Sequence, residues 1–158
     1  MTTPWLLCRV GGSACALPLG HVIEVMRPLP VVPIAQAPAG VLGMCVMRGA
    51  SAPVIDLALC LCGLPGTPTR FVAVHGAPPS SGERAHAPRR LALAVDAVVG
   101  TIQLAPERVE RVPPLLARAA AGLEAMVALD SSLLLLLQTA RLVAELKLPE
   151  LPSHVGSH

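Results

Sequence analysis

PIAQAPAGVLGMCVMRGASAPVIDL, residues Pro33 to Leu57, is the stretch that decides how this chain is read. It sets Pro33, Pro38, Gly40, Gly43, Gly49 and Pro53 between short apolar runs, with Arg48 as its one full-time cation and Asp56 as its one carboxylate. Proline fixes φ and removes a donor, while glycine opens positive φ, so this spacing punctuates very short strands and their turns. The spacing predicts a loop with one helical turn over Ala35 to Leu42, then a strand at Gly43–Arg48. A tight turn at Gly49–Ser51 leads to a second strand at Ala52–Ile55, and Pro53 marks that strand as an edge or as a strand start. Asp56 is placed to cap a short helix beginning at Leu57.

These residues also resemble a known pattern. Ile34, Pro38, Val41, Gly43, Arg48, Gly49 and Pro53-Val54-Ile55-Asp56-Leu57 fall in the order and spacing of the CheW-like domain family, the adaptor module of bacterial chemosensory arrays. The resemblance extends more loosely from Trp5 to about Leu146, over a single domain at 4–147. It implies a mainly β fold of two packed five-stranded β-barrels, a few short helices and a C-terminal helix. One departure lies inside the motif: position 46, often polar in the family and commonly Asn, is Val46.

Composition sets the outer bounds. The 158 residues are enough to bury a real core in one domain. They are 53% hydrophobic but 1% aromatic and 14% charged, so Leu, Val, Ala and Ile must build that core. The mean hydropathy of +0.64 suits a membrane protein only if the apolar residues are contiguous. The longest purely apolar run is Leu57–Cys62, far short of the roughly 20 residues needed to span a bilayer, and membrane insertion is not expected. A chain this greasy is expected to hide the excess against partners.

A formal charge of +2 is too small to imply nucleic acid. Arg84, Arg89 and Arg90 cluster in a Pro/Ser/Gly-rich stretch with no aromatic residue to stack a base. The cysteines Cys8, Cys15, Cys45, Cys60 and Cys62 are odd in number and sit in apolar runs, where a thiol behaves as a small hydrophobe. That usage, with no basic start followed by an apolar stretch and a cleavage site, leads to an expected cytoplasmic location.

Along the rest of the chain, Trp5–Val10 and Ser13–Leu17 read as strands joined by a Gly11-Gly12 hairpin turn. His21–Arg27, rich in β-branched residues, reads as a third strand, and Arg70–Val74 as another. Residues 75–90, HGAPPSSGERAHAPRR, lack apolar periodicity and read as a flexible loop where most of the family has a tight turn. Leu91–Val95 and Ala97–Leu104 read as two strands on either side of Asp96, and they resemble the family's V-D-x-V-x-x-V stretch with Thr101 in the last place. Pro106 to Ala120 reads as a polar connector, Pro113-Pro114 and an Ala-rich patch. Gly122–Leu129 and Leu133–Gln138 read as strands around Asp130-Ser131, although five successive leucines also suit a buried helix. Thr139 can cap a last helix, Ala140–Leu146, and 148–158 is a tail. The tally is about ten strands.

Reactive chemistry is sparse. The histidines are scattered, Cys60 and Cys62 form C-x-C with no second pair, and neither a phosphate-cradling glycine loop nor a G-x-S-x-G elbow is present. No catalytic residue, metal or cofactor is expected, and the reading is not that of an enzyme. A small enzyme or ligand-binding barrel, with a closed pocket of convergent polar residues, is the alternative from another class.

The few charges in the apolar first third then matter most. Glu24 and Arg48 suit either a structural ion pair across neighbouring strands or, as the resemblance implies, the surface used for partners. The resemblance matches Glu24 in Val22-Ile23-Glu24-Val25 and Arg48-Gly49. Apolar contact candidates are Val22, Val25, Met44, Met47, Val98 and Ile102. Alternation puts Val22 and Val25, like Met44 and Met47, on opposite faces, so not all can serve, and core packing competes for each. The implied role is a non-catalytic adaptor between a chemoreceptor's cytoplasmic tip and the regulatory domain of a CheA-type histidine kinase. The variant reading is an accessory member that keeps one partner only.

Overall fold

The computed structural model describes residues 1–76, 90–113, 123–129 and 132–138. These form strands β1 (Thr3–Val10), β2 (Ser13–Pro18), β3 (Val22–Met26), β4 (Val41–Met47), β5 (Ala50–Asp56), β6 (Arg70–His75), β7 (Arg90–Val95), β8 (Ala97–Leu104), β9 (Glu110–Arg111), β10 (Leu123–Leu129) and β11 (Ser132–Leu137). Helix α1 (Leu57–Cys62) follows β5, and single 3₁₀ turns lie at Leu19–His21 and Pro106–Arg108. The five-leucine run is strand. The expected C-terminal helix, the tail, the Ala-rich patch, the Asp130-Ser131 turn and nearly all of the expected 75–90 loop lie outside the described residues.

The strands assemble into two sheets, one ordered β8-β1-β2-β11-β10-β9 and the other β3-β6-β7-β5-β4. The first has six strands rather than the expected five, because Glu110–Arg111, read as connector, pairs with Ala125 and Met126. Two residues carry no periodicity, so propensity alone passes over such a strand.

Alternation along the strands explains how so much grease is buried. Leu6, Cys8 and Val10 of β1, Val72 and Val74 of β6, and Leu91, Leu93 and Val95 of β7 enter one core shared by the two sheets. The other face of the five-stranded sheet collects Cys45, Met47, Ala52, Val54, Phe71, Ala73, Ala92 and Ala94. The other face of the six-stranded sheet collects Ala16, Leu104, Ala125, Val127, Leu134 and Leu136. Strands β6, β7 and β11 are therefore covered on both faces and read as continuous apolar runs. Each fully buried Leu or Val stabilises by roughly 1.5–3 kcal/mol. Alanines inside the five-stranded sheet let its walls approach, which is how a core with one phenylalanine fills.

The decisive stretch differs from its sequence reading in three places. Residues 35–42 hold two hydrogen-bonded turns, Ala37 N–H to Ile34 O and Val41 N–H to Pro38 O, instead of a helical turn. Gln36 at φ 60° and Gly40 at φ 95° break any helix there. The β4–β5 turn is Arg48-Gly49, with Met47 paired to Ala50, so Arg48 is a turn residue and not the end of a strand. Finally, β5 lies between β4 and β7 and is not an edge. Pro53 is tolerated because its partner Met44 directs its own N–H and C=O outward to Val32, at 2.9 and 2.7 Å, and asks nothing of β5. Pairing of β5 with β7 begins only at Val54.

Two aspartates fix the loops between the sheets. Asp56 is 3% exposed; its Oδ1 accepts from Leu59 N–H at 3.2 Å as the α1 N-cap, and its Oδ2 accepts from Gly66 N–H at 3.1 Å. Gly63, at φ 76°, ends α1 with its N–H on Leu59 O. Asp96 accepts from Gly11 N–H at 2.8 Å and Thr67 N–H at 2.9 Å, joining the β1–β2 turn to the α1–β6 loop.

Candidate functional site

The β4–β5 hairpin builds the site. Arg48 at φ 50° and Gly49 at φ 79° both occupy the left-handed region, as a two-residue hairpin matched to strand twist requires. Asn or Gly is the easy choice for the first position; an arginine there is strained and needs support from its surroundings. Glu24 supplies it. Arg48 Nε donates to Glu24 Oε1 at 3.1 Å and the guanidinium Nη2 to Oε2 at 2.8 Å, a two-pronged contact. Glu24 sits on β3 just past a bulge between Val22 and Glu24, which re-aims the strand at this point.

The electrostatics follow. The hydrogen bonds from Arg48 hold the Glu24 carboxyl below its ordinary 4.5; burial opposes this, and the charges of Arg48 and then Arg90 reinforce it. The same contact raises Arg48. The arginine remains 73% exposed and Glu24 28%, so the pair is presented at the surface with its geometry set.

Strand β4 runs away from this pair with two chemically similar faces. Gly43, Cys45 and Met47 turn inward and are buried. Leu42, Met44 and Val46 turn outward, with Val46 66% and Leu42 38% exposed and Met44 half-buried. Val32, 67% exposed, pairs beside Met44 and widens the row. This approach of Val32 is close: a Cβ on Gly43 would lie 2.2 Å from Val32 O, and Gly43 stands at φ 148°. Only glycine fits there.

The structure thus joins Glu24, Arg48 and Gly49, with Met44 on the adjoining strand face. Val25 is 41% exposed on β3. Met47, expected as a partner contact, is 2% exposed inside the five-stranded sheet and presents no surface. Val22 and Val98 are half-buried against the shared core. Ile102 packs on the six-stranded sheet's own core, so Val98 and Ile102 lie on β8, an edge of the other sheet. Leu42 and Val46 share their parity along β4 with Met44, which is the sequence signal for this face, whereas Val32 joins it only through the bridge to Met44.

Among the described residues no group of His, Cys, Asp and Glu is arranged to hold a metal ion. No buried side-chain polar atom among them lacks a hydrogen-bond partner. No helix among them is long and apolar enough to cross a membrane.

Residues 4–147 match the model of the CheW-like domain. The chain belongs to this family. Among solved structures, this CheW-like chain superposes on the crystal structure of scaffolding protein TtCheW from Thermoanaerobacter tengcongensis with a TM-score of 0.72, at 21% identity. The match covers 90% of this chain and 92% of that one, and at such identity it speaks for the fold. No curated protein matches the chain.

Proposed function

We propose that this CheW-like chain is a non-catalytic chemosensory adaptor, a cytoplasmic protein that couples a chemoreceptor's cytoplasmic tip to the regulatory domain of a CheA-type histidine kinase. The observation that carries the reading is Arg48, kept in a left-handed turn and clamped by Glu24 at the end of the exposed row Leu42, Met44, Val46. A monomer with no partner has little use for that arrangement: the strain is avoidable by Asn or Gly, and the aliphatic row faces water. At an interface both make sense, the row supplying apolar area and the charges setting orientation. The adaptor performs no bond chemistry; it fixes the geometry in which a receptor's state biases kinase activity.

A second reading has its own observation. Val46 is 66% exposed two residues before the Arg48 turn, so this end of the β4 row offers a partner an apolar surface and no hydrogen-bonding side chain. An accessory member that binds only one of the two partners satisfies this. One experiment separates the readings: titrate the full chain with a receptor-tip fragment and a kinase regulatory domain separately, with Arg48→Glu as control. The coupling adaptor binds both fragments, the accessory member one, and Arg48→Glu weakens binding at least about tenfold. Binding to neither fragment overturns both readings.

A further inference from the structure

Four of the five cysteines converge where helix α1 meets the β1–β2 hairpin, away from the Glu24–Arg48 surface. Cys8 and Cys15 are fully buried in the shared core, Cys60 packs against it, and Cys62 is exposed at the end of α1. Cys8 and Cys15 stand directly opposite each other on antiparallel β1 and β2. Opposed residues on such strands have Cα atoms about 4.5–5.5 Å apart, within the roughly 4.4–6.8 Å that a disulfide spans. Cys8 is also the chief influence that raises Cys15 above its ordinary value.

Two residues on toward the hairpin turn, past Arg9–Ala14, the Val10–Ser13 pair is the next rung on the same face. Cys62 Sγ lies on this rung, 3.7 Å from Val10 O and 3.8 Å from Ser13 Oγ. Rungs on one face are roughly 6.6 Å apart, within reach of side chains that lean along the strand. The exposed thiol therefore sits one rung above a buried thiol pair.

We propose that Cys62, Cys15 and Cys8 form a thiol relay through which a hydroperoxide, meeting the chain at Cys62, produces a Cys8–Cys15 disulfide in the core. The Cys62 thiolate attacks the hydroperoxide, the O–O bond breaks, and Cys62 becomes a sulfenic acid as water or alcohol leaves. The Cys15 thiol attacks that sulfur; its proton leaves with the hydroxide as water, and a Cys15–Cys62 disulfide forms. The Cys8 thiol then attacks the Cys15 sulfur, and Cys62 departs, regaining a proton from Cys8. In total two thiols lose two electrons and two protons to one hydroperoxide. The hydrogen bond with Cys8, then burial, then the neighbouring thiols keep Cys15 protonated far above the ordinary thiol range. The relay is accordingly slow and answers sustained oxidant. The Cys15–Cys62 intermediate covalently bridges the six-stranded sheet and the helix that follows β5.

This inference is independent of the adaptor reading and is tested without any partner. The folded full chain is treated with hydrogen peroxide, quenched, denatured, alkylated and digested with trypsin. Cleavage after Arg9 places Cys8 and Cys15 on different peptides, so their disulfide appears as a cross-linked pair lacking two hydrogens. The expected result is that cross-link, with Cys62→Ser, an exposed substitution, slowing its formation about tenfold or more. The proposal is overturned if Cys62 proceeds to sulfinic or sulfonic acid while Cys8 and Cys15 stay alkylatable. It is equally overturned if Cys62→Ser forms the cross-link at the wild-type rate.

Discussion

Arg48 grips both carboxylate oxygens of Glu24, and in doing so ties together the two opposite edges of one sheet. Glu24 belongs to β3 and Arg48 to the turn leaving β4, the first and last strands in the order β3-β6-β7-β5-β4. The sheet is thus rolled until its edges meet, with Met47 and Phe71 enclosed behind the contact. A pair so exposed adds little to stability by itself. Its value is positional: it fixes a cation and an anion beside the β4 row.

Exchanging the two charges tests whether the pair acts as geometry or as a recognition element. In Glu24→Arg/Arg48→Glu the edge-to-edge contact can reform, so thermal unfolding should stay close to wild type. Binding to the receptor-tip or kinase fragment should fall about tenfold or more, because the orientation of charge toward the partner is reversed. Full binding by the exchanged variant would reduce the pair to a structural tie.

The same pair gives a pH signature. Glu24 has a carboxyl lowered from 4.5 in the folded chain, chiefly by the Arg48 hydrogen bonds. Its contribution to stability is therefore complete above about pH 4.5 and is lost as pH falls through the lowered folded value. A carbon-detected NMR titration of the Glu24 carboxyl should show a midpoint under 4.5 in the wild type, moving back toward 4.5 in Arg48→Ala.

Gly43→Ala should be among the most damaging single-methyl changes in the chain. The new Cβ meets the Val32 carbonyl oxygen at 2.2 Å, and φ of 148° is hostile to an L side chain. A loss of at least about 2 kcal/mol in chemical denaturation is expected, together with release of the Val32–Met44 bridge. A neutral result would mean that residues 31–33 move away freely.

Neighbouring positions on β7 should respond in opposite senses to size. Leu93 is fully buried in the shared core, and Leu93→Ala should cost roughly 2–5 kcal/mol. Ala92, on the other face among Ala52, Ala73 and Ala94, has no room to grow, and Ala92→Leu should cost roughly 1–3 kcal/mol. Denaturant midpoints of the two variants check this; a stabilised Ala92→Leu would contradict an interior filled by alanines.

What the sequence by itself determined was local. Gly11-Gly12 made the first hairpin, Asp56 and Gly63 bracketed α1, and the β-branched and leucine runs became strands, because turn chemistry, capping and propensity act within a few residues. Glu24 and Arg48 stood out as charges in an apolar third, though not which structure joined them. Tertiary structure alone decided the rest. Met44, Cys45, Val46 and Met47 are all apolar, so pattern could separate the two faces of β4 but not say which looks outward; packing against Phe71 and Ala73 turned Met47 in and left Val46 in water. The meeting of β3 with the β4–β5 turn, and of Cys62 with Val10 and Ser13, depends on how the sheet rolls and where α1 lands. Those contacts join residues far apart in the chain, and nothing local in the sequence encodes which distant neighbour each will find.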